Sequence, residues 1–358
     1  MDVSRRNAVT LAGLGALAAG AVRAQTAPAG PAKLSSNENP WGPGPAARQA
    51  IAGAVADGAR YPGAKAAELA AAIAAFEGVA PENIVLGNGS GEILTATAVA
   101  FGLGGKEIVA ADPTFNQLQV YARSVGGKVR AVPLDSGLSH DLEAMAAAIG
   151  PDTALVYVCN PNNPTGTLLD PDRLAAFCET VSAKVPVFVD EAYLELAPGF
   201  LSTSMTRLVK AGKPVIVART FSKLHGMAGL RIGYGVGPAD LVKRIGAFRM
   251  SIQNTLGIAA AKASLGDAAF LDRCRREIAL GRERIYTTLR GAGLPFTPSH
   301  GNFVFFDTKR PAGEFLRALE ARGVLIAQRT ASHPTFARVS VGLPEELAAF
   351  DRAVKGLG

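Results

Sequence analysis

The chain has 358 residues, 48% hydrophobic and 19% charged, with a formal net charge of +7; it can bury a sizeable core, and the composition excludes a disordered chain. Three arginines against one aspartate in the first 24 residues supply +2 of that charge, and no Lys/Arg cluster with interleaved aromatics marks a nucleic-acid footprint. The cysteines (Cys159, Cys178, Cys274) and the four histidines show neither a disulfide framework nor metal-ligand spacing, so no metal site is expected.

The first element is a leader. Arg5-Arg6 precedes an apolar stretch, 8–21, that is too short and too rich in Gly and Ala for a comfortable membrane span. "VRA" before Gln25 has the form of a small-residue cleavage site. Residues 1–24 resemble a twin-arginine export signal, which implies a periplasmic or exported protein, and a cytoplasmic one otherwise. Proteins that use such a signal cross folded, often with a cofactor inside. Gly13, Gly15 and Ala18 imitate a dinucleotide fingerprint, but no strand precedes them.

A Pro/Ala linker and the loop "LSSNENPWGPGP" follow. Strands are then expected at 83–86, 107–110, 128–132, 154–159, 187–189, 214–218 and 232–236, because each is short, apolar or β-branched and bounded by Gly, Pro, Asn or Asp. Ala-rich helical stretches such as 141–148 and 172–181 separate them. This alternation predicts an α/β fold with a mostly parallel sheet covered by helices on both faces. From Asp267 a long charged helix, "NFVFFD", a helix near 314–322 and "ARVSVG" read as a smaller α+β unit. The expected divisions are 1–24 leader, 25–60 N-terminal arm and part of the small domain, 61–266 large domain, and 267–358 small C-terminal domain.

Open parallel sheets bind ligands at the carboxyl ends of their strands, and polar residues collect there. "LGNGSGE" can present the N–H groups of Ser90 and Gly91 at a helix start, an anion seat. "DPTFNQ" places Phe115 in a loop, "CNPNNPTG" places Asn163 before a proline, and "VFVDEAY" ends a strand in Asp190, with Tyr193 beyond. "RTFSKLHGMAGLRIGY" adds Thr220, Ser222, Lys223 and Arg231. Each segment alone reads as an ordinary turn or a core residue; their succession along one sheet is what suggests a site.

Together with "RYPG" and "ARVSVGLPEE", these segments resemble class I/II, fold-type-I aminotransferases that use pyridoxal 5'-phosphate (PLP), and the branch they are most similar to is the histidinol-phosphate aminotransferases. The resemblance runs from about residue 34 to 346. It implies the aspartate aminotransferase-like fold: a large cofactor domain with a mostly parallel seven-stranded sheet and a smaller α+β domain. It also implies that Lys223 holds the cofactor aldehyde as a Schiff base and moves protons during catalysis, its pKa lowered by desolvation and a nearby cation. Asp190 pairs with the ring nitrogen and keeps it protonated. Asn163 and Tyr193 hydrogen-bond the phenolic oxygen, and Phe115 stacks on the ring. The phosphate takes the N–H groups of Ser90 and Gly91, the hydroxyls of Thr220 and Ser222, and the Arg231 fork. Tyr61 of the "RYP" motif reaches the phosphate of a partner subunit, which implies a homodimer.

On the substrate side the resemblance assigns Arg338 to the substrate's carboxylate or phosphate and puts Asn37 and Trp41 at the entrance. Two departures weaken a phosphate site. Ala327 stands where the histidinol-phosphate enzymes commonly carry an arginine, with Arg329 two residues later. Trp41 stands where some carry a tyrosine. Small-molecule substrates are expected: a 2-oxo acid and an amino acid with an ordinary carboxylate, or histidinol phosphate. The alternative reaction on the same scaffold is a PLP-dependent decarboxylation or elimination, since threonine-phosphate decarboxylase also resembles this branch.

Overall fold

The computed structural model describes residues 30–197, 199–327 and 330–357; the expected leader and Arg329 lie outside the described residues. After a two-residue strand, β1 (Ala32–Lys33), come β2 (Ile84–Gly87), β3 (Glu107–Asp112), β4 (Lys128–Pro133), β5 (Thr153–Cys159), β6 (Val187–Asp190), β7 (Val215–Thr220) and β8 (Gly233–Val236). These last seven form one sheet in the order β2-β8-β7-β6-β5-β3-β4. The seven expected strands are all present, their ends moved by one or two residues. β8 alone in this sheet opposes its neighbours, pairing antiparallel with both β2 and β7.

The central strands are apolar because both of their faces are covered. Side chains alternate across a strand. Val156, Val158, Val187, Val189, Val215 and Val217 enter one core, with Leu69, Ile73, Leu174 and Val181 of helices Ala64–Glu77 and Pro171–Ser182. Leu155, Tyr157, Phe188, Ile216 and Ala218 enter the other, with Ile93, Leu94 and Phe101 of helix Ser90–Gly102. The register sets Cys159 beside Asp190 and Asp190 beside Ala218, so β5 and β6 end level with each other and β7 runs two residues further.

The remaining strands are β9 (Phe296–Thr297), β10 (Phe303–Asp307), β11 (Val324–Leu325) and β12 (Phe336–Ser340). They and helices Ala268–Gly291, Ala312–Glu320 and Pro344–Lys355 build a third core around Phe303, Phe306, Phe315, Ile278 and Phe350. β10 pairs antiparallel with β9 and β12, and β1 pairs parallel with β11. The arm expected at 25–60 divides here. Residues 32–34 join the small core, whereas helix Pro45–Ala54 packs on helix Thr255–Ser264 and gives Ala47 to a core of the main sheet. Pro45 at the first helical position starts a new helix just after the Gly42-Pro43-Gly44 turn. Ala192, Tyr193 and Leu224 also reach the small core, so the ends of β6 and β7 lie where the two units meet.

Candidate active site

A cavity of about 280 Å³ opens over the carboxyl ends of β5, β6 and β7. Of the residues expected in the site, all except Tyr61 and Trp41 line it: Asn37, Ser90, Gly91, Phe115, Asn163, Asp190, Tyr193, Thr220, Ser222, Lys223, Arg231 and Arg338.

One end is a cationic seat. Gly89, at φ +75°, caps helix Ser90–Gly102 and turns the chain into it. A methyl added at Gly89 would run into the Arg231 guanidinium, and one added at Gly233 would strike the backbone nitrogen of Ser90. These two positions need glycine to let backbone and guanidinium meet. Arg231 itself adopts a left-handed conformation, φ 54°, which costs a non-glycine residue roughly 1 kcal/mol or more. Its Nη1 donates to the Ala228 carbonyl at 2.9 Å and its Nη2 to the Asn88 carbonyl at 3.2 Å. The Thr220 hydroxyl donates to the Ser222 Oγ at 2.9 Å, and Arg231 Nη1 approaches that same oxygen at 3.4 Å.

The other end is acidic and phenolic. Tyr157 O–H donates to Asp190 Oδ2 at 3.2 Å, and the Ala192 N–H donates to Oδ1 at 3.1 Å. Burial nevertheless pushes the Asp190 pKa up to about 6. Tyr193 Oη accepts from Asn37 Nδ2 at 3.0 Å and Asn163 Nδ2 at 3.4 Å, which leaves its own O–H to donate. Burial pushes this phenol up to about 12, so it remains a donor. Asn163 Oδ1 accepts from Arg338 Nη1 at 2.6 Å, and Arg338 Nη2 donates to the Ser35 carbonyl at 2.8 Å.

Lys223 sits between these ends. Its Nζ donates to the Asn37 carbonyl at 3.0 Å and lies 5.4 Å from the centre of the Tyr193 ring. Burial first, then Arg338, lowers its pKa to about 8, while Glu38 and Asp190 oppose the shift. The site thus penalises the Asp190 carboxylate and the Lys223 ammonium alike. A cationic heterocycle beside Asp190 would bring it back towards the ordinary carboxylate range. A lysine of lowered pKa, a buried carboxylate, a donor phenol and a cationic end at a helix start are a set that fits PLP.

One expectation needs correction within one protomer. Trp41 does not line this cavity; it borders a second one between helices Ala268–Gly291 and Pro344–Lys355. The reason is local: Asn39 accepts from the Trp41 N–H at 3.1 Å and donates to the Leu224 carbonyl at 2.6 Å, and the indole turns onto the small core. Tyr61 is 87% exposed and borders a separate hollow with Arg249 and Ile252. Sequence reasoning did not single out Gln117, which donates to the Gly91 carbonyl at 2.9 Å, or Tyr157. Gln117 stands inside the quoted "DPTFNQ", but Tyr157 reads as one more apolar strand position. Among the described residues no His, Cys, Asp or Glu group could hold a metal ion, and no helix is long and apolar enough to cross a membrane.

Behind the strand ends lies a second set of charges. Arg219 is fully buried, with Nη2 3.1 Å from Glu191 Oε2 and Nε 3.4 Å from Glu77 Oε1. Burial works against its charge, but Glu191 and Glu77 more than offset this and hold its pKa above the ordinary arginine value. Glu191 also accepts from the Ser204 hydroxyl and the Met205 N–H, both at 2.7 Å.

Comparison with known proteins agrees with this geometry. The family model "Aminotransferase class I and II" matches residues 30–354. A histidinol-phosphate aminotransferase of Moorella thermoacetica is 40% identical over 328 residues, 90% of this chain and 84% of the relative. Histidinol-phosphate aminotransferase 2 of Ralstonia nicotianae is 41% identical over 323 residues, 88% of this chain and 86% of the relative. The crystal structure of histidinol-phosphate aminotransferase from Sinorhizobium meliloti, in complex with pyridoxal-5'-phosphate, superposes with a TM-score of 0.81 at 28% identity, over 92% of each chain.

Proposed function

Because this chain belongs to the class I and II aminotransferases and uses PLP, we propose that the residues around Lys223 divide the transfer of an amino group, from an amino acid to a 2-oxo acid, as follows. PLP, when bound, serves as the electron sink that acidifies the donor Cα and as the carrier of the amino group. Lys223 would hold it covalently, and its Nζ would be the base that takes the donor's Cα proton. A pKa near 8 keeps a useful fraction of the amine neutral at physiological pH. Asp190 holds the ring nitrogen as a cation. Tyr193 and Asn163 direct hydrogens at the phenolic oxygen, and Phe115 covers the ring. Ser90, Gly91, Thr220, Ser222 and Arg231 hold the phosphate. The observation carrying this reading is that Asp190, Lys223 and Arg231 line one cavity together with Asn37 and Arg338 from far apart in the sequence.

For the donor we favour an amino acid whose carboxylate meets Arg338. Its fork is oriented by Asn163 and Ser35 and matches a planar two-oxygen acceptor. Ala327, bridged to Arg338 across the strand, adds no second cation for a phosphate dianion. The second reading, histidinol phosphate, draws on the names of relatives at 40% and 41% identity. Half-reactions of purified PLP enzyme with a panel of donors, followed by coenzyme absorbance, decide between them. A large preference for histidinol phosphate over every free amino acid rejects the first reading.

Two further proposals concern setting. Tyr61, exposed and away from its own protomer's cavity, supports a homodimer in which it reaches the partner's phosphate. A monomeric holoenzyme in sedimentation would reject this. Arg5-Arg6 and the apolar stretch after it support twin-arginine export. Cell fractionation that finds the protein only in the cytoplasm, with the leader intact, would reject that.

A further inference from the structure

Glu92 stands in the first turn of helix Ser90–Gly102, directly after the proposed phosphate seat at Ser90 and Gly91, yet does not line the cavity. A carboxylate there works against a bound phosphate on charge alone. The structure gives it another task. Glu92 Oε2 accepts from Asn88 N–H at 2.7 Å and from Asn88 Nδ2 at 3.0 Å. Its Oε1 accepts from the N–H groups of Met250 at 3.0 Å and Ser251 at 3.1 Å. Asn88, so held, offers its carbonyl to Arg231 Nη2 at 3.2 Å. Residues 249–253 do not line the cavity either, and they form no helix or strand. Two carboxylate oxygens thus tie an irregular surface segment, with Met250 86% exposed, to the carbonyl that orients the phosphate arginine.

We propose that Glu92 is a positioning residue for coenzyme retention, and that through it the order of segment 249–253 and the occupancy of the phosphate seat are coupled. The proposal rests on the reading of Ser90, Gly91 and Arg231 as that seat. Hydrogen bonds of this kind, to an ionised group, are stronger than neutral ones. A glutamine keeps the size but puts an N–H₂ where one of the acceptor oxygens stood.

The test is coenzyme titration of E92Q against the unaltered chain, followed by absorbance. Charge alone predicts tighter binding, since a negative group is removed. Positioning predicts the opposite: affinity weaker by about tenfold, the order expected for one charged hydrogen bond, with a much smaller fall in turnover at saturating coenzyme. Hydrogen exchange gives a second readout. Coenzyme binding is expected to raise protection of the amides in 249–253 although none of these residues lines its own protomer's cavity, and E92Q is expected to abolish that rise. Unchanged or tighter binding in E92Q, or no change in exchange there, overturns the proposal. If R231A loses coenzyme while E92Q does not, only the role of Glu92 fails. If both bind normally, the phosphate seat itself is misplaced.

Discussion

Asp190 and Glu191 are consecutive, both buried and both at the end of β6, yet they belong to opposite kinds of site. Glu191 faces rearward and meets Arg219, Ser204 and Met205, although burial still pushes its pKa up to about 7. Asp190 faces the cavity, and its pKa rises to about 6, because burial outweighs the hydrogen bonds it receives. Arg219 and Lys223 divide in the same way on β7 and just after it. The rear cation is locked in its charged form, and the front one is lowered to about 8. Burial raises both carboxylates; the rear one has a protein cation against it, whereas the front one faces a cavity that a coenzyme cation would fill.

This contrast can be broken or sharpened by substitution. Lys223→Ala is expected to have the largest effect: turnover lost, coenzyme still bound, and the rear pair and melting temperature little changed. Absorbance titration together with an activity assay checks it. Arg219→Met should do the reverse. It leaves Glu77 and Glu191 buried without their cation, so stability should fall by about 3–5 kcal/mol, read by denaturant unfolding of the coenzyme-free protein. Arg231→Ala should weaken coenzyme binding by about one to two orders of magnitude, the range for losing a bidentate charged contact. Its unfolding curve without coenzyme should barely move.

The smallest effect is in pH. Only the neutral amine attacks an aldehyde. The Lys223 ammonium is the disfavoured form, so coenzyme uptake should rise with pH and level off above about 8. The same shift makes a stability statement. A folded pKa lowered from the ordinary lysine value of 10.5 to about 8 means that folding gains stability as pH rises between those values. Asp190, raised from 3.8 to about 6, makes stability fall as pH rises between them. Stopped-flow uptake with a midpoint near that of an ordinary lysine would break the contrast at Lys223.

Much of the front set is legible in the sequence because strands covered on both faces read as apolar runs, so any polar residue at a run's end stands out. Asp190, Asn163 and Lys223 are visible for that reason. The rear set is not, since Glu77 lies on a helix more than a hundred residues before Arg219 and nothing local names it as a partner. Tyr157 hides for a related reason: alternation alone does not say that its hydroxyl meets Asp190. The direction of Trp41 is not legible because a motif position carries none, whereas the Asn39 hydrogen bonds set one. The division of the arm at Gly42-Pro43-Gly44 likewise depends on which core each side reaches.

The most direct measurement of the central claim is reductive trapping. The purified protein is saturated with pyridoxal 5'-phosphate, reduced with borohydride, digested and mapped by mass spectrometry. One stoichiometric adduct is expected, on the peptide containing Lys223. A protein that takes up no coenzyme, or one that carries it on another lysine, would contradict that claim.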